Sequence, residues 1–172
     1  LYRVISGTVR LCVYSESGRR HILHFARRGD VLGIFLLESW RFTAEAVDDV
    51  VLGWLSRRGV ETEIAGDPAL QAAHRRRVAR EIESRERLLI CLADLPAAER
   101  LFAFLEDFAP TATRRDGYAR LPMTRQDIGD HLGLSLETVS RAFGELRRRG
   151  AIETSGHDRY RIRALRPHRD VA

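Results

Sequence analysis

Residues 124–149 read TRQDIGDHLGLSLETVSRAFGELRRR, and this stretch decides the fold. Two short helices that cross steeply need a small residue at their contact, a turn residue that tolerates positive φ, and apolar plugs on both inner faces. Gly129 suits the contact, Gly133 the turn, and Ile128, Leu132, Val139, Phe143 and Leu146 the plugs. Ser135 is placed to cap the second helix. With the plugs buried, Glu137, Thr138, Ser140 and Arg141 project outward near the N-terminus of that helix, the end that meets base edges in a major groove. Such helix pairs also occur inside enzymes, but there the outward face need not be polar. The pattern predicts a recognition helix.

Downstream of Gly150, residues 151–154 and 159–162 predict a hairpin around Ser155-Gly156-His157-Asp158, which completes a winged helix-turn-helix. Thr124, Arg125, Ser135, Arg147 and Arg159 are expected to face the phosphate backbone of double-stranded DNA. Charge agrees with a polyanionic partner. Residues 111–172 hold 13 Arg against 8 Asp and Glu, whereas residues 1–110 balance at 16 each, so the whole formal charge of +5 lies in the last third.

Upstream, Gly66-Asp67-Pro68 predicts a helix start, with Asp67 as cap and Pro68 in the first turn. From there Val78, Ile82, Arg85, Leu89 and Leu92 step by four, three, four and three residues, the seam of a coiled coil, and are expected to pair with a second copy of the chain. Six arginines between 75 and 87 make most other faces of this helix too polar to bury. Pro96 ends it and begins another helix through Leu101, Phe102, Leu105 and Phe108, stopped by Pro110, and residues 111–120 predict an exposed loop.

The front of the chain predicts β-structure. Runs such as Val9-Arg10-Leu11-Cys12-Val13-Tyr14 and His21-Ile22-Leu23-His24-Phe25 flank the hairpin signal Ser15-Glu16-Ser17-Gly18. Gly7, Gly29 and Gly33 mark further turns, and residues 42–47 and 50–55 predict two more strands joined through Asp48-Asp49. Short strands at this spacing suggest a roll or barrel. Leu1 already lies inside a strand-like pattern with no initiator methionine, and an N-terminal piece is expected to be missing.

Other classes are excluded more simply. No run approaches the ~18 apolar residues of a membrane span, and the first ten residues lack the regions of a signal peptide, so a cytoplasmic chain is expected. Cys12 and Cys91 are too few for a disulfide framework or a four-cysteine metal site and read as small half-buried residues. His21, His24, His74, His131, His157 and His168 show no metal-ligand spacing, and no nucleophile–base arrangement or phosphate-cradling glycine loop is present; no enzyme activity and no metal are expected. All 29 basic residues are arginine, and asparagine is absent as well as lysine; both have AT-rich codons, so arginine number alone reflects a GC-rich genome.

Taken along its whole length, the sequence resembles the Crp/Fnr transcription regulators, most closely the FixK-like branch. The resemblance is carried by Leu1-Tyr2-Arg3-Val4-Ile5-Ser6-Gly7-Thr8-Val9, by Arg41-Phe42-Thr43-Ala44-Glu45-Ala46, by Leu121-Pro122-Met123-Thr124-Arg125-Gln126-Asp127-Ile128-Gly129, and by the Fnr-type recognition signature Glu137-Thr138-Val139-Ser140-Arg141. It implies an α+β fold: a truncated β-roll like those that bind cyclic nucleotides over residues 1–60, a dimerisation helix over 61–95 and a winged helix-turn-helix over 96–172. It also implies a homodimer on a palindrome with TTGAT half-sites, and an RNA polymerase contact from the loop holding Thr111, Arg114, Arg115 and Tyr118.

Cyclic-nucleotide members carry a Gly-Glu pair for ribose and an Arg-Ser/Thr-Ala element for phosphate. Here Gly33 is followed by Ile34, and Phe42 precedes Thr43-Ala44, with Arg41 one place off and so on the opposite face of a strand. No cofactor is therefore expected in this chain, and cyclic nucleotide is disfavoured. A haem or an iron–sulfur cluster in a longer chain stays open. The competing readings are a haem- or redox-gated sensor of the same family, and a nucleotide-binding module whose helix-turn-helix is only structural.

Overall fold

Alternation of apolar and polar side chains builds the front of the chain into β1 (Tyr2–Ser6), β2 (Val9–Tyr14), β3 (Arg20–Ala26), β4 (Val31–Leu32), β5 (Thr43–Ala46) and β6 (Val51–Trp54) in a computed structural model that describes residues 1–34, 39–109 and 116–163. The hairpin expected around residues 15–18 forms, with β2 and β3 paired from Val9↔Ala26 to Tyr14↔Arg20 and an irregularity between Leu11 and Cys12. On its other side β2 pairs with β5, giving the order β3-β2-β5, while β1 lies between β4 and β6 in a separate sheet. The strands flanking Asp48-Asp49 thus enter different sheets. The Thr8 N–H donates to Asp48 Oδ1 at 2.7 Å and the Val47 N–H to the Thr8 carbonyl at 2.9 Å, which pins this crossing. Val4, Val9, Leu11, Ala26 and Leu32 form the core between the sheets, with Phe42 and Val50 packed against it.

The chain then enters a helix that the sequence pattern did not announce, α1 (Arg57–Gly66), capped by Ser56, whose hydroxyl accepts from the Gly59 N–H at 2.9 Å. It buries no residue, which is why its hydrophobic pattern is weak. Asp67 breaks it from α2 (Pro68–Asp94) and accepts from the Ala69 N–H at 2.7 Å, as expected of the cap. Asp30, in the turn between β3 and β4, accepts from the Arg27 N–H and from Arg77 Nη2 of α2, both at 2.8 Å, with His24 Nε2 at 3.8 Å. This tethers the roll to the helix.

Two compact units result, Leu1–Ile90 and Cys91–Ala172. The second contains α3 (Ala97–Phe108), β7 (Ala119–Arg120), α4 (Arg125–Leu132), α5 (Leu136–Arg148), β8 (Ile152–Ser155) and β9 (Arg159–Ile162). Pro96 precedes α3 as expected; Pro110 lies outside the described residues. α3 buries Ala98, Leu101, Phe104, Leu105 and Phe108, so Phe104 takes the core place expected of Phe102 and stacks on Phe108 at 5.8 Å between ring centroids. The wing has the order β7-β9-β8, one strand more than expected. Tyr160 of β9 is buried and donates its hydroxyl to the Leu105 carbonyl at 2.7 Å, fastening the wing to α3.

Candidate nucleic-acid interface

The two helices of the 124–149 segment form as the spacing requires. Gly133 adopts φ of +65° at the C-terminus of α4, in the left-handed region that glycine tolerates. At Gly129 a Cβ would lie 2.6 Å from the Leu134 carbonyl oxygen, so only glycine admits the crossing. Ile128, Leu132, Val139, Phe143 and Leu146 are all buried.

Both helix starts are fastened by their own side chains. Thr124 Oγ1 accepts from the Asp127 N–H at 3.1 Å and donates to Asp127 Oδ2 at 2.8 Å, while the Thr124 N–H donates to that same oxygen at 3.1 Å, a capping box. Asp127 is 2% exposed, a structural role legible in the three-residue spacing from Thr124 but not anticipated. Ser135 caps α5 as expected, accepting from the Thr138 N–H at 3.2 Å. The Thr124 and Ser135 hydroxyls are thus engaged within the protein, and both residues are exposed.

On the outward face of α5, Glu137, Ser140 and Arg141 are exposed and Thr138 is half-buried. Arg141 is steadied by Thr138, whose Oγ1 accepts from Nη2 at 3.3 Å; Thr138 Oγ1 in turn lies 3.0 Å from Ser135 Oγ. The Glu137 carboxyl is held below its ordinary range by backbone hydrogen bonding at the helix start, then by the Ser135 hydroxyl, with the Arg141 charge a smaller influence.

Among the residues expected at the phosphates, Arg147 is exposed on α5. Arg125 stacks its guanidinium 4.3 Å from the centre of the Phe143 ring, and burial together with the neighbouring Arg147 charge lowers its pKa. Arg159 is engaged elsewhere: it forms an ion pair with Asp116 and lies over the Tyr118 ring at 5.3 Å. Arg161 covers the same ring at 4.8 Å, and both Arg161 and Arg163 pair with Glu153, which also accepts from the Tyr118 hydroxyl at 3.2 Å. Tyr118 is thereby built into the wing; Thr111, Arg114 and Arg115 lie outside the described residues. These wing partners are 35 to 43 residues apart for the pairs Tyr118–Glu153 and Asp116–Arg159, a separation at which spacing carries no signal.

On α2, Ile82 and Leu89 stand 46% and 67% exposed, seven residues apart, whereas Val78 and Leu92 are half-buried. Arg85 leans along the helix toward Glu81 at 3.4 Å, and both border a cavity of about 310 Å³ against the roll. Arg41 and Phe42 line that same cavity. They precede β5, so the strand alternation expected to separate them does not operate. Ile34 at the ribose-side position offers no acceptor, Phe42 at the phosphate-side position offers no cation, and Arg77 is committed to Asp30. Arg41 and Arg85 also line the cavity.

The Crp-like helix-turn-helix domain family matches residues 99–169, and the cyclic nucleotide-binding domain family residues 1–67. The chain is 36% identical over 171 residues to the nitrogen fixation regulation protein FixK of Azorhizobium caulinodans, covering 95% of this chain and 67% of that protein. The chain belongs to the Crp/Fnr family of transcription regulators. Within the Crp/Fnr family it is FixK-like: FixK of Bradyrhizobium diazoefficiens is 35% identical over 154 residues, covering 88% of this chain and 65% of that protein. The solved structure of FixK2 from Bradyrhizobium japonicum superposes with a TM-score of 0.84 at 35% identity, over 94% of this chain and 81% of that one. The chain spans about two thirds of the length of these curated relatives. The α+β architecture of front β-domain, helices and C-terminal helix-turn-helix is the Crp-like fold, and the matched families are regulatory rather than catalytic. Among the described residues no helix is long and apolar enough to cross a membrane.

Proposed function

We propose that this FixK-like chain acts in the cytoplasm as a homodimer that binds an Fnr-type palindrome with TTGAT half-sites and contacts RNA polymerase, without a cyclic nucleotide. The observation that carries this reading is α5: its inner face is buried on Val139, Phe143 and Leu146, and its outer face presents Glu137, Ser140 and Arg141 at the end nearest the turn. Arg141 has the paired donors that match guanine O6 and N7, Glu137 can accept from cytosine N4, and Ser140 can meet a base edge or a thymine methyl. Thr124, Arg125, Ser135 and Arg147 surround these groups as phosphate contacts. Arg159 draws the least support for that role, because Asp116 already neutralises it.

The exposed pair Ile82 and Leu89 supports a dimer seam through α2, with half-sites about one helical turn, roughly 34 Å, apart. Thr111, Arg114, Arg115 and Tyr118 would contact RNA polymerase. A ligand-gated reading is favoured by one observation, the 310 Å³ cavity faced by Trp40 and Phe42; a Soret band in purified full-length protein would establish that a haem is bound. Binding-site selection tests the main reading. The wild-type chain should recover the palindrome, and Arg141→Ala should cost about 1 to 3 kcal/mol per half-site and relax one guanine. Arg147→Ala should weaken all sequences alike and flatten the salt dependence. An even loss of affinity in Arg141→Ala would make Arg141 a backbone anchor.

A further inference from the structure

A guanidinium that reads a base must occupy one pose among the many open to a long exposed side chain, and fixing that pose costs conformational entropy at binding unless the free protein has already restricted it. On α5 the restriction comes from an unexpected direction. Glu137, four residues before Arg141, is the partner that helix geometry suggests. The atom within hydrogen-bond distance of Arg141 is instead Thr138 Oγ1, at 3.3 Å. Ser135 Oγ lies 3.0 Å beyond, already fixed as the cap by the Thr138 N–H at 3.2 Å.

We infer that Thr138 is a positioning residue for Arg141, the middle member of a hydroxyl relay that runs from the N-cap Ser135 to the guanidinium and pre-sets its reading pose.

The donors order themselves in one direction. Arg141 has only donors, so Thr138 Oγ1 accepts from it. The Thr138 hydroxyl hydrogen is then available to Ser135 Oγ. Cation and N-cap are thus joined through the Thr138 hydroxyl, an arrangement in which neighbouring hydrogen bonds strengthen one another. The relay is anchored by backbone, because the cap holds Ser135 against α5. It also gives Thr138 a task other than touching a base. The residue is half-buried where Glu137, Ser140 and Arg141 are exposed.

This inference rests on the base-reading role of Arg141, and the test separates the two. Thr138→Val keeps the branched shape, the helix propensity and the N–H that Ser135 caps, and replaces only the hydroxyl by a methyl. Thr138→Ser keeps Oγ1 and removes the methyl. Dissociation constants of the full chain would be measured at fixed salt on symmetric operator duplexes carrying each of the four base pairs at every half-site position. Thr138→Val should lose about threefold to tenfold of its discrimination per half-site at the single position that Arg141→Ala also relaxes, with affinity for unrelated DNA unchanged. Thr138→Ser should retain wild-type discrimination. If Arg141→Ala relaxes one position and Thr138→Val does not, the relay is wrong while base reading stands. If Thr138→Val weakens all sequences evenly, Thr138 is a phosphate contact, and if Thr138→Ser fails equally with Thr138→Val, the methyl matters and not the hydroxyl; both overturn the inference. If Arg141→Ala itself weakens all sequences evenly, it is the base-reading role that falls.

Discussion

Tyr160 and Leu105 lie 55 residues apart and are joined by a buried hydrogen bond of 2.7 Å from the phenol to the main-chain carbonyl. The bond ties the central strand of the wing to α3, on which α5 also packs. Tyr160→Phe removes the donor but does not orphan the acceptor, since the Leu105 carbonyl still accepts from the Ala109 N–H at 3.0 Å. The loss should therefore be about 1 kcal/mol, seen as a lower denaturant midpoint with an unchanged slope. An unchanged midpoint would mean that the bond contributes nothing.

Gly129 gives a sharper outcome. Because the obstructing atom is a backbone carbonyl and not the end of a flexible side chain, Gly129→Ala must separate α4 from the turn. Overpacking of this kind costs about 1 to 3 kcal/mol. Thermal unfolding should show that loss, and operator affinity should fall with it. Gly144→Ala is the control, because its nearest neighbour is only the tip of Arg148 at 3.6 Å.

Asp30 makes part of the roll's stability depend on pH. Burial alone would raise its carboxyl pKa, but His24, the Arg27 N–H and Arg77 together hold it down at about 2, against an ordinary value of 3.8. A carboxylate depressed on folding stabilises the native state above its unfolded value and loses that contribution as pH falls toward the folded one. The contribution is about 2 kcal/mol, present at neutral pH and lost between about pH 4 and pH 2. Asp30→Asn should lower stability at pH 7 by a similar amount, and its difference from wild type should shrink across that acid range in urea titrations.

The seam of α2 is tested by charge. Ile82→Glu would place two carboxylates in one desolvated contact between protomers, an uncompensated burial costing several kcal/mol. Sedimentation should report monomers and operator affinity should collapse. A dimer that survives the change would move the interface off this stripe.

The helix-turn-helix was legible because each of its determinants is local: plugs at helical spacing, two glycines and a capping serine all act within 26 residues of one another. The pairing of β5 and β6 into different sheets was not, since alternation identifies a strand but says nothing about its neighbour. α1 escaped because a helix that buries nothing needs no apolar stripe. At α5, helical geometry puts both Thr138, three residues back, and Glu137, four residues back, beside Arg141. The geometry brings Thr138 Oγ1 within hydrogen-bond distance of Arg141, and spacing alone does not single it out. Arg85 shows the same limit on α2, where the heptad count and the roll-facing side overlap at one residue.

The ion pairs of the wing have a consequence for how the protein searches a genome. Asp116 pairs with Arg159, and Glu153 is shared by Arg161 and Arg163, so these two carboxylates offset two of the three wing charges, whereas Arg141, Arg147 and Arg148 stand exposed along α5. Among the described residues, attraction to a duplex of arbitrary sequence would therefore fall largely on the helix proposed to read bases. With α5 as the reading face, a chance encounter would already present it, so the search would become one of translation along the groove with little tumbling, and fewer collisions would be spent in orientations that cannot recognise anything.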